Sequence, residues 1–293
     1  MLVNLAKILS PALENDYSVA CFNVFGWEDA RAVVDAAAEL DAPVILGASA
    51  DFRKLMPLDV IAVMLRTLAE SAPVPVCVHL DHTHDIAEVF RAVDVGFTSV
   101  MYDGSQLPLE ENIAGTRRVA QYAHAAACSV EAEIGSVPYA EGRAHIKAEL
   151  TEVRDAVRLA EESGLDAMAI SIGNIHRLKA PGAIIDFARL SAIESSVTVP
   201  LVIHGTSGIW ERDIARLARA PQIAKFNIAT VLRQAFGKSL RVTLADHPER
   251  FDRLEIMSDV MPAMSREAKR MIRLLGWGCH ADGAGSGHIA ASG

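Results

Sequence analysis

Aromatic residues are scarce in this chain, at 5 % of 293 residues, although apolar residues make up 51 %. A core built from this composition has to be aliphatic, on Val, Ile, Leu and Ala. The aromatic shortage argues against a nucleic-acid binder that works by stacking bases on exposed rings. The aliphatic content in turn excludes a disordered chain. Basic residues are also in deficit, 28 against 37 acidic, leaving a net charge of −9. Such a field repels phosphate backbones and anionic lipid, so neither nucleic acid nor membrane is an expected partner. A small anionic substrate would need a local positive feature, such as a metal or a helix N-terminus.

Cysteines number four, at 21, 77, 128 and 279, with no C-x-x-C pair. Cys21, Cys77 and Cys128 lie inside apolar runs and read as reduced, buried thiols. That usage points to a reducing, cytoplasmic setting and not to a disulfide scaffold. No stretch approaches the roughly 18–20 unbroken apolar residues of a membrane span. The opening segment MLVNLAKILSPALENDYS has apolar residues at helical spacing but lacks the apolar stretch of a signal peptide.

What is present is an alternation. Eight strand-like runs, at 18–24, 42–49, 73–81, 97–103, 128–135, 166–173, 199–205 and 222–228, alternate with helix-like segments of about 10–15 residues. Most of the strands are apolar on both faces, as in a parallel sheet covered by helices. An open doubly wound sheet and a closed (β/α)8 TIM barrel both use this alternation. The count of eight and the length favour the barrel. After residue 246 the pattern changes to two helix-like segments, 248–257 and 260–275, a C-terminal helical extension. Residues 1–278 are expected to form one domain, and 279–293 a flexible Gly/Ser/Ala-rich tail.

Polar residues recur where these runs end: Asn23, Ser49, Asp81 with His82, Asp103, Glu133, His176, His204 and Asn227. In a barrel these positions converge on one rim. Strand-end capping accounts for an Asn or a Ser, but not for three His and three acids at consecutive strand ends. The interval from Glu133 to His176 is 43 residues, against 22 to 32 for the others. Its excess, SVPYAEGRAHIKAE at 136–149, is read as a lid.

Three imidazoles, His82, His176 and His204, with a fourth position open form the ligand set of a catalytic zinc site. Asp81 beside them is placed to exchange a proton with a metal-polarised substrate. Asp103 and Glu133 either bind a second cation or orient the His ligands. His79 and Glu131 are either outer-shell groups or structural. HGTSGI (204–209) and KFNIAT (225–230) close the last two strands, where barrels often hold phosphate on backbone N–H groups.

The ordered motifs HLDH (79–82), VEAEIG (130–135), IGNIH (172–176), LVIHGTSG (201–208) and KFNIAT (225–230) resemble the class II, metal-dependent ketose-bisphosphate aldolases, over almost the whole chain. The resemblance implies Zn2+ on His82, His176 and His204. It implies Asp81 as the acid/base at the C4 hydroxyl, and Glu133 with Asp103 facing an alternative divalent-metal position. It also makes Glu141 in the lid the group that exchanges the α-proton. Asn23 and Ser49 match substrate-side positions. Gly205, Thr206, Ser207, Asn227, Ile228, Ala229 and Thr230 fall in the phosphate cradle, near which a monovalent cation (Na+ or K+) is common. The implied reaction is reversible cleavage of fructose or tagatose 1,6-bisphosphate to dihydroxyacetone phosphate and an aldehyde, by a homodimer or homotetramer.

The chain departs from the family pattern at Arg177 and Thr206, where glycines are usual. It also departs after Asn23, where Phe25 and Gly26 stand in place of Asn-Asn, and in the lid, which lacks paired glycines. Arg177 either contacts a substrate anion or points to solvent. These departures keep two alternatives open: a zinc aldolase for another ketose or keto-sugar acid phosphate, and a non-catalytic metal-binding barrel.

Overall fold

The computed structural model describes residues 1–140 and 148–278. Glu141 and the tail with Cys279 lie outside the described residues.

After a two-residue strand β1 (Leu2–Val3), eight strands follow in chain order: β2 (Val19–Asn23), β3 (Val44–Ala48), β4 (Val76–Thr83), β5 (Ser99–Tyr102), β6 (Ser129–Ile134), β7 (Ala167–Ile170), β8 (Leu201–Ile203) and β9 (Ile223–Ile228). Each pairs in parallel with the next, and β9 returns to β2 through Val19↔Lys225 and Cys21↔Asn227. The sheet is thus a closed eight-stranded barrel. The eight barrel strands are buried on both faces, apart from partial exposure at the end of β4. That double burial is why their sequences read as apolar runs without alternation.

The helices are α1 (Leu5–Glu14), α2 (Trp27–Glu39), α3 (Ala50–Leu55), α4 (Leu58–Ser71), α5 (Ile86–Asp94), α6 (Leu109–Ala125), α7 (Val153–Ser163), α8 (Phe187–Glu194), α9 (Glu211–Leu217), α10 (Thr230–Asp246) and α11 (Arg253–Leu274). α1 plugs the N-terminal mouth of the barrel. Its Leu5, Ile8 and Leu9 pack on inward-facing Cys21, Ile45, Cys77, Met101, Ala169 and Val202. The small inward residues leave room for that plug. With one mouth closed by apolar packing, the polar strand ends at the other mouth form the rim that the described residues leave open for chemistry.

Three features differ from the sequence reading. β1 lies beside the start of β4 as a parallel partner, pairing Leu2 with Val76. α3 is a further helix of six residues capped by Ser49, too short to register as a period. The C-terminal segment from 253 is one helix, α11, and not two, running through Pro262. Proline removes one helical hydrogen bond. However, Val260, Met264, Ala268, Met271 and Ile272 form a continuous buried stripe across it, and tertiary packing overrides the local propensity. Trp277 then anchors the end of this extension. Its indole N–H donates to Leu40 O at 2.8 Å, and its ring meets Tyr17 edge-on.

Candidate active site

Barrel closure brings Asn23, Asp81, His82, His204 and Asn227 around one pocket at the C-terminal rim, with Ser49, Asp51, Tyr139, His176 and Arg177 at its walls. His82 and Asp81 are neighbours in sequence, and in a regular strand they would face opposite sides. An irregularity between Leu80 and Thr83 breaks the β4–β5 register, and His82 takes φ +31°. That turn lets both side chains face the pocket. A non-glycine residue held there costs on the order of 1–3 kcal/mol, so the surrounding structure has to impose it.

His176 lies beyond the end of β7, not on it. The lid stem holds it in place. His176 N donates to Pro138 O at 2.8 Å, Ala140 N donates to His176 O at 3.0 Å, and the Tyr139 ring stacks on the imidazole at 4.6 Å. The base of the lid segment closes through reciprocal backbone bonds between Ser136 and Glu149. Buried Asn174 ties this loop to the next strand end. Its Nδ2 donates to His204 O at 3.0 Å, and its Oδ1 accepts from Ile172 N at 2.8 Å.

The three imidazoles form a single cluster with ring centroids 4.5–5.6 Å apart, and one nitrogen of each lies within 4.8 Å of the others. His82 Nε2 lies 2.8 Å from His204 Nδ1. His176 Nε2 is buried with no hydrogen-bond partner among the described residues. The opposite ring nitrogens are on carboxylates, His82 Nδ1 with Asp103 Oδ2 at 2.8 Å and His204 Nε2 with Glu131 Oε1 at 3.0 Å. Outer carboxylates of this kind orient metal-binding imidazoles. Converging nitrogens, an orphaned one and an acidic surround make a donor set that fits a divalent metal.

The electrostatics agree. Burial lowers His176 and His204, with the neighbouring His82 adding to the effect, so both favour the neutral form a metal needs. Burial also opposes charge on His82, yet Asp81, Asp103 and Glu133 together raise it well above the ordinary imidazole value. The acidic shell therefore calls for a cation at this point. A second group, His82 with Asp103 and Glu133, shares that shell. Glu133 is pushed up to about 8, first by burial and then by Asp103; its Oε2 faces His82 Nδ1 at 3.8 Å and has no hydrogen-bond partner among the described residues.

Asp81 sits between two amides. Asn23 Nδ2 donates to its Oδ2 and Asn227 Nδ2 to its Oδ1, each at 2.8 Å. Burial would raise this carboxyl, but His82 and His204 hold it well below the usual carboxylate range. Gly47 makes the arrangement possible, because a Cβ there would collide with the Asn23 amide. The sequence reading puts Asn23 and Asn227 on the substrate or its phosphate; both line the pocket, and their Nδ2 groups also clamp Asp81.

The loop after β8 and the start of α10 line the same pocket through Gly205, Thr206, Ser207, Ala229 and Thr230. Gly205 has φ +71°, and a Cβ would stand 2.5 Å from Ile175 O, so only glycine fits this close approach. Thr206 Oγ1 donates to Asn227 O at 2.8 Å, joining the two loops. Ile228 differs from the rest of this motif: its side chain is buried in the core and is not part of the pocket lining. Arg177 does not point to solvent. It is half-buried, has φ +60°, bonds Asp51 Oδ2 at 2.5 Å and lies over the Tyr139 ring.

Lys225 and Asp51 are among the site components that the sequence reading does not single out, as are Tyr139 and Asn174. Lys225 is fully buried and donates to Glu131 Oε2 at 2.7 Å, under the His204 imidazole. The signal was a charged residue two positions before Asn227 in an otherwise apolar strand. Asp51 lies on α3, the helix that was not anticipated.

The sequence model of the family described as "Fructose-bisphosphate aldolase class-II" matches residues 3–278. Among solved structures, the chain is similar to the YdjI aldolase of Escherichia coli K12. Identity is 31 % over 94 % of this chain and 98 % of that one, with a TM-score of 0.81. It shares the fold of the fructose-bisphosphate aldolase of Campylobacter jejuni. There the identity is 22 %, over 94 % of this chain and 95 % of the other, with a TM-score of 0.78.

Proposed function

The chain belongs to the class II fructose-bisphosphate aldolase family, and from that premise we propose that it is a zinc-dependent lyase cleaving a phosphorylated ketose of the fructose or tagatose 1,6-bisphosphate type. The observation that carries this reading is Asp81, clamped by two asparagines beside three converging imidazoles. A divalent metal held by His82, His176 and His204 would supply Lewis-acid polarisation of the ketose carbonyl.

The protein groups divide the remaining work. Asp81 is kept ionised, so its oxygens accept a proton across the working pH range. It takes the proton of the C4 hydroxyl. The O–H electrons form the aldehyde carbonyl, and the C3–C4 pair moves into the three-carbon fragment as an enediolate. Protonation at C3 then gives dihydroxyacetone phosphate, a step this reading assigns to Glu141. Asn23 and Asn227 orient the Asp81 carboxylate and support its charged form. Backbone N–H groups of the Gly205–Ser207 loop and the N-terminus of α10 at Thr230 hold the phosphate without a basic surface. Asp103 and Glu133 face a second divalent cation position in this reading, and a monovalent cation beside the cradle belongs to it too. So do assembly as a homodimer or homotetramer and a cytoplasmic location.

A second reading keeps this chemistry but changes the sugar. It is favoured by Arg177 and its partner Asp51 at the pocket wall, since a charged pair there reads the far end of the substrate. A panel of fructose 1,6-bisphosphate, tagatose 1,6-bisphosphate and keto-sugar acid phosphates, with zinc supplied and dihydroxyacetone phosphate detected, tests both. A strong preference for one bisphosphate supports the first reading. Turnover of only another ketose phosphate supports the second, and no turnover of any ketose phosphate overturns both.

A further inference from the structure

Arg53, on α3, extends beneath the rim of the pocket without entering it. Its side chain is only 7 % exposed. Nη1 donates to Ala48 O and to Asp81 O, each at 2.7 Å. Nη2 donates to His82 O at 3.0 Å and to Thr83 Oγ1 at 3.1 Å. Nε donates to Glu88 Oε1 at 2.8 Å. One planar guanidinium therefore gathers three main-chain carbonyls from the ends of two adjacent strands, including those of Asp81 and His82.

Those carbonyls sit where the β4–β5 ladder breaks. The register holds at Leu80↔Val100 and resumes only at Thr83↔Tyr102, so no paired residue lies between them. In this gap His82 holds its left-handed φ of +31°. An unsatisfied carbonyl in a buried position is costly, and the backbone would relax toward a regular strand if it could regain a partner that way. Regular geometry would turn Asp81 or His82 away from the pocket.

We propose that Arg53 is the positioning residue that holds the β4 bulge, and so sets the joint orientation of Asp81 and His82. It acts through the backbone, without touching the substrate or a metal. The fork geometry is what the role needs: five donors in one plane reach acceptors that a lysine ammonium, a single point of charge, reaches only in part. Glu88 anchors the fork from outside but contacts neither pocket residue.

The proposal rests on the aldolase reading for its kinetic arm only, so the test also measures metal affinity directly. The probe is Co2+, titrated into the metal-free full-length chain and followed by its visible absorption. Arg53→Lys is expected to weaken Co2+ binding at least tenfold and alter the absorption band. It is also expected to lower kcat at saturating metal at least tenfold, with KM within threefold. Glu88→Gln is expected to leave Co2+ affinity and kcat within twofold. Thr83→Val removes one acceptor of the fork and is expected to reproduce the Arg53→Lys pattern at about threefold, which keeps the test decisive if Arg53→Lys does not fold. The proposal is overturned if Arg53→Lys folds with Co2+ affinity and kcat within twofold of the parent. A loss confined to thermal stability, or a Thr83→Val variant that changes neither quantity, overturns it as well. If the parent protein turns over no ketose phosphate, the aldolase reading fails, while the Co2+ comparison still decides the role of Arg53.

Discussion

His82 Nε2 stands 2.8 Å from His204 Nδ1, and the far nitrogen of each ring rests on a carboxylate, Asp103 and Glu131 respectively. Two imidazoles oriented from behind and aimed at one point are prepared to share a cation. Exhaustive chelation should therefore abolish aldol cleavage, and Zn2+ should restore it. Borohydride added with substrate should leave activity intact. Metal at a thousandfold over its Kd should stabilise the fold by about 4 kcal/mol, read as a rise in Tm. Full cleavage by a metal-stripped protein would refute the assignment of these ligands.

Asp81→Asn should lower kcat by about 10²–10⁴-fold, the range for a lost general base, while Co2+ affinity stays close to that of the parent. Asn23→Ala and Asn227→Ala each remove one donor to the ionised carboxylate. Such bonds contribute about 1.5–3 kcal/mol. Losing a donor to the charged form raises the Asp81 pKa from its depressed position. The acid limb of kcat/KM should thus move to higher pH in both variants. Unchanged pH profiles would show that the amides do not support the charge.

The buried pair beneath His204 should behave asymmetrically. Lys225→Met leaves Glu131 buried without its cation, at a cost of about 3–5 kcal/mol in urea unfolding. Glu131→Gln should weaken metal binding about 10–100-fold through the loss of orientation of His204. The double variant should be more stable than Lys225→Met alone, because no uncompensated charge remains. A double variant no more stable than Lys225→Met would contradict the pairing.

Arg177→Gly tests the pocket wall. The ion pair with Asp51 is about one-third exposed on each side, so solvent screening holds its stability contribution to about 1 kcal/mol or less. Glycine also relieves the positive φ. Tm should stay within a few degrees, while KM ratios across the ketose panel change. Identical KM ratios in parent and variant would show that the wall does not read the sugar.

The three buried thiols should be inert. Burial pushes Cys77 up to about 12 and raises Cys21 and Cys128 further. In a Cys279→Ser background, a disulfide reagent at pH 8 should titrate no thiol until the protein unfolds. The linkage has a defined sign. Folded-state values above the unfolded one favour the fold below about pH 8.5, and that advantage shrinks as pH rises toward 12. Rapid labelling of the folded protein would contradict this burial.

Much of the site was legible because the chemistry sits at strand ends, and strand ends are marked by a change from apolar runs to polar residues. His82, His204 and Asp81 could be placed that way. His176 is legible as a candidate ligand, but its position is not, since it lies beyond its strand and is held by Pro138 and Ala140 of another loop. Lys225 and Glu131 were visible as charges inside apolar strands, yet nothing local says that they meet. α3 was too short to carry a period, so Asp51 and Arg53 went unnoticed.

The sequence by itself determined the eightfold alternation, the aliphatic core that its aromatic shortage requires, and the polar residues at the ends of the strands. Those are properties of local period and composition. Only the tertiary structure decided which polar groups become partners. Asp81 meets Asn23 and Asn227 across 58 and 146 residues of chain, and His82 faces the pocket through a backbone turn that alternation would forbid. The physical reason is that periodicity is set within one element, whereas a hydrogen bond of 2.8 Å depends on the closure of the whole barrel.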